Sequence, residues 1–248
     1  MKPIKALVVV PCFNETSRFN PEYWTELESF ECIDWLFVDD GSTDNTREII
    51  ATYLRSSSKG RSSLLSLDQN VGKGEAIRTG WVHSGKNGYD SLGFMDADGA
   101  FNKADLEQVL DAYDIQVQAA GFEAVWTSRV ALAGRSIERN ASRHYIGRVV
   151  ATALSWGGHQ IPYDTQCGLK FFQNGNHFEE VIQQGFETRW LFEMEILIKY
   201  QHVSGIPLKV WEVPLDFWND VPGSKITRKE SFRILSELLK IKRLQRSQ

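Results

Sequence analysis

The sequence predicts an α/β fold built on a mostly parallel central sheet with helices on both faces, and three observations carry that expectation. Over the first hundred residues, short apolar runs alternate with helical stretches, and strands separated by helices pair in parallel and bury both faces. Each run ends abruptly at a polar cluster. The composition, 42% hydrophobic and 24% charged over 248 residues, suits a chain with a large core, in one domain or one domain with an appendage, and argues against a disordered one.

The elements follow in order. Residues 4–10 form a β-branched run stopped by Pro11, and residues 22–30 have helical character. Residues 35–38 are the second apolar run, closed by Asp39, Asp40, Gly41 and Ser42. Residues 43–54 read as a helix with Ser42 or Thr43 as its cap. Residues 64–67 give a third strand, residues 74–81 the start of a helix, and residues 92–95 a fourth strand.

Directly after that fourth run stand Asp96 and Asp98, one residue apart. Two carboxylates at the mouth of a buried strand are costly to leave uncompensated, so a divalent cation or a strong donor is expected beside them. Asp-x-Asp-Gly is also an ordinary turn, so the neighbours decide. Asn14 and Glu15 follow the first run, Asp39 and Asp40 the second, and Asn70 to Lys73 the third. In a parallel sheet all four sets fall at the carboxyl ends of strands, the edge where open α/β folds bind ligands. Convergence of four strand ends is expected to form one metal site for a phosphorylated ligand.

Two phosphate-loop patterns fail on inspection. Gly72-Lys73-Gly74 opens like a dinucleotide fingerprint, but Ile77 stands where the third glycine belongs and the segment follows the third strand. Residues 80–87 approach a Walker A loop, yet Asn87 replaces the Ser or Thr that holds magnesium and no strand precedes Gly80. Neither a dehydrogenase nor a P-loop NTPase is supported.

The longest apolar run near the start, residues 6–10, falls far short of the ~20 residues of a membrane-spanning helix. No basic-then-apolar leader precedes it, so a cytoplasmic location is expected, with membrane association at most at the cytoplasmic face. Cys12, Cys32 and Cys167 form no C-x-x-C pair and suit a reducing compartment. The five histidines show no metal-ligand spacing. The net charge of −4 hides an asymmetry: residues 224–248 carry eight basic side chains against Glu230 and Glu237, a balance of +6 that leaves −10 for the body.

Val8 to Glu15, Val38 to Asp44, Asn70 to Gly74 and Asp96 to Gly99 together resemble the ordered signature of inverting family-2 glycosyltransferases of the GT-A fold, a Rossmann-like sheet with a small acceptor-side subregion. Ser128-Arg129, Arg135-Ser136, Asp164 to Lys170 and Pro222 to Ile226 are similar to the dolichyl-phosphate glucosyltransferase branch, with dolichyl-phosphate mannose synthases as close relatives. The resemblance implies a GT-A domain over residues 1–226, with donor half 1–100 and acceptor half 101–226, followed by a basic amphipathic helix over 227–248. It implies transfer of a hexose from a nucleotide diphosphate sugar, UDP-glucose first and GDP-mannose second, to a polyprenyl phosphate. Nucleic acid is not an expected partner, and oligomeric state is left open.

The resemblance also assigns roles. Asp39 or Asp40 accepts hydrogen bonds from the nucleobase and ribose, while Pro11, Asn14 and Glu15 wall the base pocket. Lys73 lies near the nucleotide. In Asp96-Ala97-Asp98, Asp98 holds Mg²⁺ or Mn²⁺ and Asp96 contacts the ribose or a metal-bound water, so that the ion neutralises the leaving diphosphate. Mannose synthases often place a Gln two positions after the second Asp as a further metal contact, and here that position is Ala100. Lys225 and Arg129 join Asp98 and Asp164 in the implied catalytic set, and Arg129, Arg135, Gln166 and Glu193 in the acceptor site.

Arg129, Arg135, Arg139, Arg143 and Arg148 crowd a span of twenty residues, a density that suits an anionic acceptor; a solvated helix face is the alternative. A phosphate acceptor is already anionic and needs no general base, whereas an alcohol would need one, with Asp164 and Glu193 as candidates. Arg189-Trp190 lacks the glutamine of a processive-synthase box because Phe186 stands there, so Trp190, Leu191 and Phe192 read mainly as packing, and most of the eight tryptophans as serving the core or an acceptor groove. Residues 229–246 fit either a basic helix on an anionic membrane or a terminal helix docked on protein. The competing functions are a family-2 transferase acting on a soluble or glycan hydroxyl and a non-catalytic nucleotide-sugar-binding protein. A nucleotidyltransferase would need a Gly-rich, Arg-containing loop where Pro11 to Glu15 stands.

Overall fold

In the computed structural model, residues 4–57, 60–85, 88–138, 161–219 and 228–246 are described, with the backbone alone for 228–235. The strands are β1 (Ala6–Cys12), β2 (Ile33–Asp39), β3 (Ser62–Ser66), β4 (Ser91–Met95), β5 (Ala124–Ser128), β6 (Ser136–Glu138), β7 (Leu169–Gln173), β8 (Val210–Pro214) and β9 (Phe217–Asn219). The helices are α1 (Pro21–Leu27), α2 (Thr46–Ser56), α3 (Lys73–Ser84), α4 (Lys103–Ala112), α5 (Asn176–Gln183), α6 (Phe192–Ser204) and α7 (Arg228–Arg246).

Seven strands form one sheet in the order β3-β2-β1-β4-β7-β5-β8. The first four are mutually parallel, as expected from their helical crossovers, and β7 runs antiparallel to both β4 and β5. β5 and β8 are parallel to each other, and β6 pairs with β9 in a small separate ribbon on the acceptor side.

Because strand side chains alternate between faces, the unbroken apolar runs feed two cores. Val8, Val10, Trp35 and Phe37 pack on one face against Trp24 of α1, Ile50 and Tyr53 of α2 and Leu106 of α4. Leu7, Val9, Leu36 and Phe94 pack on the other against Ile77 and Trp81 of α3, Phe178 of α5 and Met194 of α6. Trp24, Trp35, Trp81 and Trp126 are fully buried, which agrees with the packing role expected of most tryptophans.

The first helical cap differs in detail from expectation. Ser42 and Thr43 do not cap α2; Asn45 occupies the cap position, and Asp44 accepts from Thr46 N (3.0 Å). Ser42 and Thr43 instead bond Asn14: its N–H donates to Ser42 Oγ (3.0 Å), and its Oδ1 accepts from Thr43 N (2.9 Å). The chain turns through Asn14 at φ +51°, a left-handed conformation that Asn tolerates better than most side chains.

Candidate active site

The parallel strands bring their carboxyl ends to one edge, and the antiparallel β7 adds its amino end, so the loop before it, residues 164–168, meets the same edge. Asp96 lies at the meeting point. Its N–H donates to Gly168 O (2.9 Å), and its Oδ1 pairs with Lys73 Nζ (2.6 Å) at the start of α3. A Cβ on Gly168 would run into the Asp96 carboxylate, so only glycine permits this approach.

Asp98 is held differently. It accepts from Ala100 N (3.2 Å) in its own turn, and among the described residues no cation forms an ion pair with it. Burial and the neighbouring Asp96 charge push its carboxyl above the usual range, with Arg18 and Lys73 only partly offsetting them. Burial opposes a charge on Lys73, yet Asp96, Glu193 and Asp98 together raise its pKa above that of an ordinary lysine, so it stays protonated.

This donor set fits a Mg²⁺ or Mn²⁺ ion. Asp98 is a half-buried, charge-crowded carboxylate that a cation would relieve, and Asp96 stands beside it. Among the described residues no group of three His, Cys, Asp or Glu side chains is gathered to hold a metal, so phosphate and water oxygens would complete the shell.

Asp40 anchors a loop. It accepts from Asn70 Nδ2 (2.8 Å), Val71 N (2.7 Å) and Gly72 N (3.0 Å), so both carboxylate oxygens hold the β3–α3 loop. Burial nonetheless raises its pKa against those donors. Asp39 accepts from Ser42 N (3.1 Å) and remains the candidate for the nucleoside. Pro11 is half-buried at the end of β1, and Glu15 pairs with Arg18 (2.5 Å).

On the acceptor side the expected reactive groups bind one another. Arg129 Nε donates to Asp164 Oδ2 (2.7 Å) and Nη2 to Oδ1 (2.8 Å), a two-pronged pair nearly closed to solvent. Both carboxylate oxygens of Asp164 are thus engaged by one guanidinium. Glu193 is buried at 2% exposure, with Oε1 taking a hydrogen bond from Lys170 Nζ (3.1 Å). Lys170, fully buried, also donates to Thr165 O (2.6 Å) and so fixes the 164–168 loop from beneath. Burial drives its pKa down while Glu193 holds it up; the same burial drives that of Glu193 up.

Gln166 Nε2 donates to Trp190 O (3.1 Å), which makes it a loop contact. Arg135 bonds Pro214 O and Asp216 beside β8. Lys225, Arg139, Arg143 and Arg148 lie outside the described residues. Sequence reasoning overlooked Lys170, although a lysine inside the apolar run 169–172 signals a buried charge.

The family model of glycosyl transferase family 2 matches residues 7–159. The chain belongs to glycosyl transferase family 2. The human dolichyl-phosphate beta-glucosyltransferase is 31% identical to it over 247 residues, covering 90% of this transferase and 70% of the human protein. The yeast (Saccharomyces cerevisiae) enzyme of the same name is 29% identical over 243 residues, covering 88% and 68% of the two chains. This transferase thus sits in the dolichyl-phosphate glucosyltransferase branch.

Among solved structures, the Pyrobaculum calidifontis mannosyltransferase PcManGT, in complex with GDP-Man and Mn²⁺, matches with TM-score 0.64 and 16% identity, covering 96% of the transferase and 63% of that chain. Glucosyl-3-phosphoglycerate synthase from Mycobacterium tuberculosis, with Mn²⁺, UDP and glucosyl-3-phosphoglycerate, matches with TM-score 0.67 and 16% identity, covering 96% and 78%. At that identity the likeness establishes the fold, which is GT-A.

The described side chains of α7 dock on the transferase itself. Ile241 is fully buried with the α3–α6 core, Glu237 accepts from three backbone N–H groups of residues 189–191, and Lys240 Nζ donates to Glu187 O (2.7 Å). Of the two readings left open for this helix, docking describes residues 236–246. Among the described residues no helix is long and apolar enough to cross a membrane.

Proposed function

We propose that the transferase moves glucose, with inversion, from a nucleotide diphosphate glucose, UDP-glucose in the first instance, to a polyprenyl phosphate of the dolichyl type. The observation that carries the reading is Asp98, a half-buried carboxylate crowded by Asp96 and without an ion-pair partner among the described residues. The names of its relatives supply the glucose and the lipid phosphate.

Asp98, with Asp96 beside it, would hold Mg²⁺ or Mn²⁺, which when bound neutralises charge on the diphosphate leaving group. Lys73, kept protonated by its acidic neighbours, adds a fixed positive charge at the same edge. Asp39, Pro11, Asn14 and Glu15 would border the nucleoside. An acceptor phosphate oxygen attacks the anomeric carbon as the bond from that carbon to the diphosphate breaks, and the electron pair departs with the nucleoside diphosphate. No proton has to be removed from the acceptor, so the pairing of Asp164 with Arg129 and of Glu193 with Lys170 costs the reaction nothing. Arg135, and Lys225 beyond the described residues, are the remaining candidates for the acceptor phosphate. The lipid acceptor brings the transferase to a membrane surface.

The test supplies purified protein with labelled UDP-glucose or GDP-mannose, Mn²⁺ and a detergent-dispersed polyprenyl phosphate. Label from UDP-glucose should enter the lipid fraction, and EDTA should stop it. Label appearing only in a water-soluble glycoside would overturn the acceptor assignment, and a preference for GDP-mannose the donor.

A further inference from the structure

Six consecutive backbone N–H groups, from Phe186 to Leu191, all end on carboxylates. Phe186 N donates to Glu75 Oε2 (3.1 Å). Glu187 N and Thr188 N donate to Glu195 Oε2 (3.1 and 3.0 Å), which also takes the Thr188 hydroxyl (2.9 Å). Arg189 N donates to Glu237 Oε1 (2.8 Å), and Trp190 N and Leu191 N share Glu237 Oε2 (3.0 and 3.2 Å).

The three acids come from three helices, α3, α6 and α7, and converge on a stretch that belongs to none of them. Glu195 is fully buried and Glu237 is 5% exposed. Removing a carboxylate from water is costly, and that cost is offset here by charge-assisted bonds to main-chain donors. A loop that only needed to be covered would not require two buried acids and a third, Glu75, half-buried at its edge.

The stretch they hold bridges the two sides of the site. Arg189 Nη2 donates to Asn70 O (3.0 Å), and its stem lies across Gly72, which sits at φ +98° and has no room there for a Cβ. Gly72 is the cap of α3, whose first residue, Lys73, pairs with Asp96. Trp190 O accepts from Gln166 in the acceptor-side loop.

We propose that Glu237 is a positioning residue for the donor site: by gathering the 189–191 amides it seats Arg189 on the 70–72 loop, and so places Lys73 against Asp96. The C-terminal helix thereby sets donor affinity from outside the site. The inference rests on the reading of that edge as the nucleotide-sugar site.

The test compares the full chain with Glu237→Ala, Arg189→Met and the double variant. It measures amide exchange without ligand, then affinity for Mn²⁺ with UDP, then KM and kcat for UDP-glucose. Glu237→Ala should speed exchange at both 189–191 and 70–73 and raise donor KM about tenfold, the lower end of what outer-shell partners of a metal site contribute, with a smaller change in kcat. Arg189→Met, which keeps the stem but removes the donors, should loosen 70–73 alone, and the double variant should bind no worse than Glu237→Ala.

Unchanged exchange at 70–73 in either single variant would overturn the proposal. So would additive losses of affinity in the double variant. Should Glu237→Ala fail to fold, Arg189→Met alone still decides the link to the donor loop. Coupled exchange in a protein that binds no Mn²⁺ with UDP would leave the brace standing and remove the functional reading instead.

Discussion

The ends of β1 to β4 and the structure behind β5 and β7 handle charge in opposite ways. At the donor edge two carboxylates, Asp96 and Asp98, crowd together, and only Asp96 has a lysine on it. Behind the acceptor edge three buried acids have cations: Asp164 has Arg129, Glu193 has Lys170 and Glu195 has Lys199 (2.7 Å). Charge left short of compensation marks where a ligand belongs, and charge neutralised within the protein marks where the protein is holding its own shape. Among the described residues, these paired acids brace the acceptor half from within.

The comparison breaks most visibly at Asp98. Asp98→Asn should lower Mn²⁺-dependent transfer by on the order of 10²–10³-fold, the scale of losing a principal electrostatic group at a leaving group. Retention of more than about a tenth of the activity would show that the metal is held elsewhere.

Lys170→Met leaves Glu193 buried without its cation and should cost about 3–5 kcal/mol in urea unfolding, whereas Lys170→Met with Glu193→Leu should recover most of that loss. A full loss in the double variant would mean that the Thr165 contact, and not the ion pair, carries the stability.

Cys167, in the same acceptor-side loop, offers a milder probe. Burial pushes its thiol up to about 11. A raised folded pKa adds stability that is complete below the unfolded value, near 9, and lost as pH climbs through about 11. At pH 8.5 iodoacetamide should modify native Cys167 roughly 100-fold more slowly than the unfolded chain, from the thiolate fraction alone. Equal rates would show that the loop opens freely.

The smallest effect belongs to Asp216, whose side chain is 77% exposed beside Arg135. Asp216→Ala should change unfolding stability by no more than about 1 kcal/mol, as for other solvent-screened pairs. If releasing Arg135 lowers the KM for the lipid phosphate, the guanidinium belongs to the acceptor surface; a loss of several kcal/mol in stability would place it with the internal scaffolding instead.

Much of the donor edge was legible in the sequence because its logic is local. Apolar runs 4–10, 35–38, 64–67 and 92–95 became β1 to β4, and a parallel sheet leaves no choice about which edge receives the residues that follow them. The acceptor half was not legible in the same way. Arg129 and Asp164 lie 35 positions apart, Lys170 and Glu193 lie 23 apart, and neither separation follows from a strand or helix period. The sequence shows such acids and arginines one by one, and their pairing emerges only when the chain folds.

By itself the sequence determined the α/β class, the edge to which we assign the donor and the acidic pair at its centre, because strand alternation and residue chemistry act over a few neighbours. Only the tertiary structure decided that β7 runs antiparallel and delivers Gly168 to Asp96, that Asp40 anchors a loop, and that Glu237 of α7 reaches back to residues 189–191. Those outcomes depend on which distant groups share a buried space. Burial makes an unpaired charge costly enough that the fold itself selects the partner.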